Sequence, residues 1–325
     1  MEPNLLLRVA LPFIAGYYVS YAYRMVNAVL APTLAAEFGL SAGMLGLLSS
    51  MYFLSVGLFQ VPLGVLLDRF GPRRVNGALL LVAAAGGFWF AHADSALGAI
   101  AARAVIGVGV SACLMASLTA FVLWYPPQRL STMNGIVFSA GAVGAMSVTI
   151  PLELLLRTWD WRSAFLLIVA VNLSVCVVLW LWVPERSVAR RGATLARQLR
   201  GFASLLADPP FRRLVLALGA SQLAAVALQT LWVAPWLRDV AGYSNAEVAR
   251  GLLVVNLAMI AGYLGFGKAA EVLERRGRGP FGLLAGGMAV SAAALGFLVF
   301  DVFAPSRDDV EDTHGRWLER EPQPA

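Results

Sequence analysis

Charge is scarce in this chain. Asp, Glu, Lys and Arg make up 14% of the 325 residues, against about 25% in an ordinary soluble domain. With 59% of residues hydrophobic, too few polar groups remain to cover the outside of a water-soluble globule. Cysteine and histidine are scarcer still, at two each. Cys113 and Cys176 lie inside apolar runs and offer neither a disulfide framework nor metal-ligand spacing. Also missing are a nucleophile–base pair, a His/Cys cluster and a Gly-Lys-Ser/Thr phosphate loop, so neither an enzyme nor a cofactor or metal is expected. Short alternating strands are absent, which excludes a membrane β-barrel. No acid lies in the middle of a long apolar run, so an obvious proton-coupling carboxylate is lacking. Glu153 sits near one outer end.

Long apolar runs are what the chain has. A helix crossing a hydrocarbon core of about 30 Å needs about 20 mostly apolar residues. Nine segments meet that need: Val9–Ala31, Leu45–Leu67, Val75–Ala93, Ala96–Tyr125, Leu130–Leu156, Ser163–Val183, Leu214–Leu237, Val248–Gly267 and Gly279–Phe300. The first is read as a span and not a cleaved leader, because it is long, carries Arg24 and lacks a small-residue cleavage site. Several runs are rich in Gly and Ala, which lets helix backbones approach where lipid removes the hydrophobic drive. The fold class expected is an all-α integral membrane bundle of about nine helices. Its divisions are a six-helix first half (1–183), a basic central loop (184–213), three further helices (214–300) and a polar tail (301–325).

The net charge of +6 and pI near 9.7 reflect orientation in the bilayer and not nucleic acid. Placing the amino terminus inside puts sixteen Arg and Lys residues in the cytoplasmic segments and three in the external loops. That asymmetry is the positive-inside rule.

The gap after the second run reads Gly64-Val65-Leu66-Leu67-Asp68-Arg69-Phe70-Gly71-Pro72-Arg73-Arg74. It closely resembles the loop motif between helices two and three of the major facilitator superfamily. Gly64 permits close helix approach, Asp68 can cap a neighbouring helix end or pair with arginines at the cytoplasmic gate as a latch, and the gating motif is Gly64, Asp68, Arg69, Gly71, Arg73 and Arg74. A weaker echo, Gly267-x-x-x-Glu271 followed by Arg275-Arg276-Gly277-Arg278, comes after the eighth run and suggests two related halves. Arg103-x-x-x-Gly107-x-Gly109 is similar to the family's fourth-helix motif. Arg103 is either a gate or charge-coupling group or a buried structural arginine bonded to backbone carbonyls. Tyr125-Pro126-Pro127-Gln128-Arg129 looks like the family's loop between helices four and five, and Trp161-Arg162-x-x-Phe165 like the start of helix six. The resemblance covers residues 10 to 300. The family has six helices per half, and the second half here offers three. The antiporter pattern of helix five is missing, because Gly141-x-x-Gly144 continues as Ala145-Met146-Ser147.

The resemblance implies a secondary transporter in a cell membrane (a bacterial inner membrane), working as a monomer on a small solute, with a coupling ion as a candidate partner. Tyr17, Ser20, Tyr21, Arg24 and Asn27 share one face of the first helix. An intramembrane arginine with aromatic and amide companions suits a carboxylate or phosphate. The setting is similar to the organophosphate and organic-anion branches, which use a first-helix arginine. The other reading pairs Arg24 with Glu37, Glu153 or carbonyls. On the opposing wall the candidates are Gln222, Gln229, Trp232 and Asn256. Three alternatives stand beside an anion transporter: a truncated, non-transporting fragment, a sensor built on the fold, and a proton-coupled drug efflux permease. The orientation can be read with reporter fusions. Those at Arg191 and Arg276 are expected to report cytoplasmic and those at Asp94 and Tyr243 external; a cytoplasmic signal at Asp94 would break the nine-span topology.

Overall fold

A computed structural model describes residues 5–156, 158–186, 200–201, 204–227, 233, 236–237, 242–277 and 281–302. Every long regular element among them is helical. A π-helical turn over Leu6–Ala10 leads into α1 (Leu11–Phe38). Then come α2 (Ala42–Ala91), α3 (Ala96–Val110), α4 (Cys113–Trp124), α5 (Pro127–Leu155), α6 (Trp161–Trp182), α7 (Pro209–Ala227), α8 (Asn245–Arg275) and α9 (Phe281–Val302). Several helices start on side-chain oxygens that accept otherwise orphaned amide protons. Ser41 receives Met44 N–H at 3.3 Å, Ser95 receives Gly98 N–H at 3.2 Å and Asp160 receives Arg162 N–H at 3.1 Å. Ser244 and Glu247 form a reciprocal capping box ahead of α8.

The second and third apolar runs of the sequence are one helical element, α2, broken at a single residue. Gly71 has φ 79° and ψ 162°, a conformation open to glycine and strained for other residues. Pro72 imposes the extended ψ on the residue before it and then suits the first turn of the next arm. The break reverses the chain. Tyr52 and Ser55 of the first arm and Ala83 of the second all press on α3 around Gly107 and Gly109. Four described helical stretches are long and apolar enough to cross a membrane: Gly43–Ala91, Ala96–Trp124 (α3 with α4), Trp161–Trp182 and Arg250–Arg275. The first has 49 residues, enough for two crossings.

The chain divides into two compact units, Met1–Lys268 and Ala269–Ala325. In the first, the core is built from α1 through α6. Phe13, Tyr23, Leu30, Leu80, Ile106, Phe121 and Phe165 are fully enclosed. The outer faces carry large apolar side chains, with Leu97 76% and Leu181 81% exposed. Such a surface suits lipid and not water. In the second unit Glu271 is buried and bonds Arg275 one turn on at 2.6 Å, before Gly277 ends α8 at φ 71°.

Backbone contact at small residues holds these helices. A Cβ at Gly86 would stand 2.8 Å from the Ile106 nitrogen, and one at Gly107 2.5 Å from the Tyr52 carbonyl oxygen. One at Gly144 would stand 2.6 Å from the Tyr18 carbonyl oxygen. No side chain fits there without parting the helices, so substitution costs at least the 1–3 kcal/mol or so of an overpacked core. Gly107→Leu is therefore expected to abolish the monodisperse folded peak in fluorescence-detected size exclusion. Gly219→Leu on α7, where a Cβ meets nothing within 4 Å, should leave that peak intact.

Candidate functional site

The middle of α1 carries the site. Residues spaced three and four apart share a helix face, and Tyr17, Tyr21 and Arg24 do so here. The Tyr17 hydroxyl donates to the Tyr21 hydroxyl at 3.4 Å, and the two rings meet edge-on at 5.1 Å. The Arg24 guanidinium lies 5.3 Å from the Tyr21 ring centre and 5.0 Å from that of Phe53 on α2. It makes no hydrogen bond or ion pair with a described residue, and its Nε is buried without a partner. Contacts of this kind contribute about 0.5–2 kcal/mol, less than the roughly 2.5–3.5 kcal/mol that a charge costs at mid-membrane.

The rings continue beyond α1. Tyr17 meets Phe138 of α5 edge-on at 6.2 Å, and Phe138 meets Tyr263 of α8 at 5.6 Å. Tyr263, Phe138, Tyr17, Tyr21, Arg24 and Phe53 thus form one unbroken series across four helices, all within the first unit. Phe53 and Phe138 carried no sequence signal, since a phenylalanine in a span looks like any lipid-facing residue. Tyr263 was legible: it stands seven residues after Asn256, on the same face of α8.

The other expected site residues are placed as follows. Asn27 is buried, and its amide donates to Ser49 Oγ at 2.7 Å, which ties α1 to α2. Ser20 is buried and bonds the Tyr17 carbonyl at 2.7 Å. Gln222 lies on an exposed face of α7, and Asn256 bonds the Leu252 carbonyl of its own helix at 2.8 Å. Gln229 and Trp232 lie outside the described residues, as does the side chain of Glu153. Glu37 serves Arg162 and Trp161 rather than Arg24, at 2.6 Å to each.

Arg103 contrasts with Arg24. It is 1% exposed, donates to the Tyr23 carbonyl at 2.9 Å and lies 5.2 Å from the Tyr52 ring centre. Gly107, one turn later, seats α3 on the backbone of Tyr52, the residue whose ring faces the guanidinium. The geometry is that of a buried arginine bonded to backbone. Around the break in α2, Gly64 lies in the first arm, Asp68 and Arg69 stand on the exposed side and Arg69 packs on Phe70 at 5.2 Å. Arg73 bonds the Trp180 carbonyl and Arg74 pairs with Glu185, so both arginines hold the end of α6.

The sequence profile of the Major Facilitator Superfamily matches residues 13–306. The chain belongs to that superfamily. Its relatives are membrane transporters. It is 25% identical over 264 residues to the probable sulfoacetate transporter SauU of Cupriavidus necator, an alignment covering 77% of this chain and 60% of the relative. It is 31% identical over 170 residues to the uncharacterized transporter YybO of Bacillus subtilis, covering 52% of this chain and 39% of the relative. The chain thus spans between two fifths and three fifths of the length of these relatives. Among solved structures, the proton:xylose symporter XylE superposes with a TM-score of 0.60 at 16% identity, covering 84% of this chain and 70% of that one. FucP in its outward conformation gives 0.60 at 17% identity, covering 80% and 71%. At such identities the likeness is one of fold.

The Glu37 carboxyl, in the last turn of α1 beyond the apolar stretch, is held below its usual value by the Arg162 guanidinium and then by the Trp161 N–H. A depressed carboxyl stabilises the fold above its unfolded pKa and loses that contribution as pH falls through the folded one. Glu37→Gln should therefore melt below the parent at about pH 7. The gap should close as pH drops to about 3, because protonation then removes the parent's charge too. Thermal melts of purified protein across that range measure it, and a gap that stayed constant would show the carboxylate's charge to be idle.

Proposed function

We propose that this protein is a secondary transporter for a small organic anion, moved by alternating access, with Arg24 anchoring the acid group. The observation that carries the reading is the unpaired guanidinium of Arg24, stacked against Tyr21 and Phe53 at mid-span. Its planar fork can offer a carboxylate, sulfonate or phosphate two parallel charge-assisted bonds. An arriving anion neutralises a charge that no described residue neutralises. Relatives named for sulfoacetate and hexuronate support the same class of cargo. The six helices within 1–183 and those within 214–300 are then the parts that move about the site, with the basic segment 184–213 as their cytoplasmic connection and 301–325 as a polar tail. We place the protein in a bacterial inner membrane as a monomer, with no catalytic step and no bound cofactor.

Reconstitution in sealed vesicles tests this. Uptake or exchange of sulfoacetate or glucuronate should be saturable and lost in Arg24→Gln. Arg24→Lys keeps the charge but loses the fork and should fall between. A lost hydrogen-bonded charge contact of about 1.5–3 kcal/mol corresponds to about 10- to 100-fold in affinity. Binding without flux would identify a sensor. Transport of cations alone, unaffected by Arg24→Gln, would overturn the anion assignment.

A further inference from the structure

We infer that Tyr263 of α8 supplies a second hydrogen-bond donor to the acid group held by Arg24, and so ties α8 to α1 when the site is loaded. The inference rests on the reading of Arg24 as the anion anchor. Two observations point to it. The Tyr263 ring packs on Phe138, the link that leads through Tyr17 and Tyr21 to Arg24. Its hydroxyl makes no hydrogen bond to a described residue, whereas Tyr17 and Tyr52 both donate, to the Tyr21 hydroxyl and the Ser20 carbonyl. A half-buried phenol in the same aromatic series as an uncompensated guanidinium has its proton to offer, and a second oxygen of the same acid head can accept it.

The backbone explains why this residue is held there. The Tyr263 carbonyl oxygen sits directly over Gly135 of α5, and one turn later a Cβ at Gly267 would stand 2.7 Å from the Ser131 carbonyl oxygen. Thr132 Oγ1 donates to the Gly267 carbonyl at 3.3 Å, and Ser139 Oγ lies 3.5 Å from the Ile260 carbonyl. One face of α8 is therefore seated on α5, and Tyr263 reaches from that seat toward α1. With Tyr21, whose hydroxyl accepts from Tyr17 and keeps its own proton free, the seat presents the Arg24 fork and two phenol donors. That set suits an acid head with two or three oxygens.

The test uses the purified full chain and measures affinities for benzoate, sulfoacetate and glucuronate, with neutral benzamide as the uncharged probe. Tyr263→Phe keeps the ring that packs on Phe138 and is expected to weaken every acid that binds by about tenfold, the loss of one hydrogen bond to a charged group. Benzamide binding should be unchanged, and Tyr243→Phe, on an exposed loop, should match the parent. If Arg24→Gln weakens acid binding while Tyr263→Phe does not, this inference fails and the anchor stands. An equal loss of benzamide and benzoate in Tyr263→Phe would make the residue a packing element and overturn the inference. If no acid binds the parent, or Arg24→Gln binds acids as the parent does, the anchor reading falls and this inference with it.

Discussion

Lipid removes the usual reason for helices to associate, because an apolar side chain gains nothing by leaving acyl chains for protein. Close packing of backbones remains, together with hydrogen bonds between helices. Both are visible at the crossing of α3 with the two arms of α2. Gly107 admits the carbonyl of Tyr52, and Gly109 admits the backbone of Ala83. The seat of α8 on α5 repeats the device at Gly135 and Gly267. Wherever the helices touch through glycine, their relative height is set, and with it the height of each polar side chain one turn away.

The same packing governs where charge is fastened, as Arg103 and Arg24 illustrate. Both are arginines inside apolar spans, and both face aromatic rings. Arg103 is enclosed and reaches the Tyr23 carbonyl, which satisfies part of its guanidinium, while its Nε has no partner. Arg24 has rings on two sides and no acceptor among the described residues. Packing thus fastens one intramembrane cation to backbone and leaves the other without an acceptor among the described residues. The pair Glu37–Arg162 and the contacts of Arg73 and Arg74 fasten helix ends instead, α1 to α6 and α2 to α6.

Much was legible from the chain alone. The length of the apolar runs demanded crossing helices, since a spanning segment must satisfy its own backbone. The Gly71-Pro72 pair marked the reversal in α2, because glycine alone takes that φ readily and proline restricts its predecessor. Three-and-four spacing put Tyr17, Tyr21 and Arg24 on one face, a property of any α-helix. Periodicity is a local rule, so a sequence states it completely.

Partnership between helices is another matter. Asn27 reads as a ligand contact on the α1 face; α2 brings Ser49 to its amide nitrogen, while its Oδ1 is buried without a partner. Glu37 offers itself to Arg24 by sequence proximity, but the start of α6 lies nearer and claims it. Phe53, Phe138 and Tyr263 come from three helices and are brought to one site by backbone contacts at glycines on α3, α5 and α8. The sequence determined that the chain is built of long apolar helices and which polar groups share a helix face. Only the tertiary structure decided which of those groups bond to neighbouring helices and which do not, because that depends on distances between segments far apart in the chain.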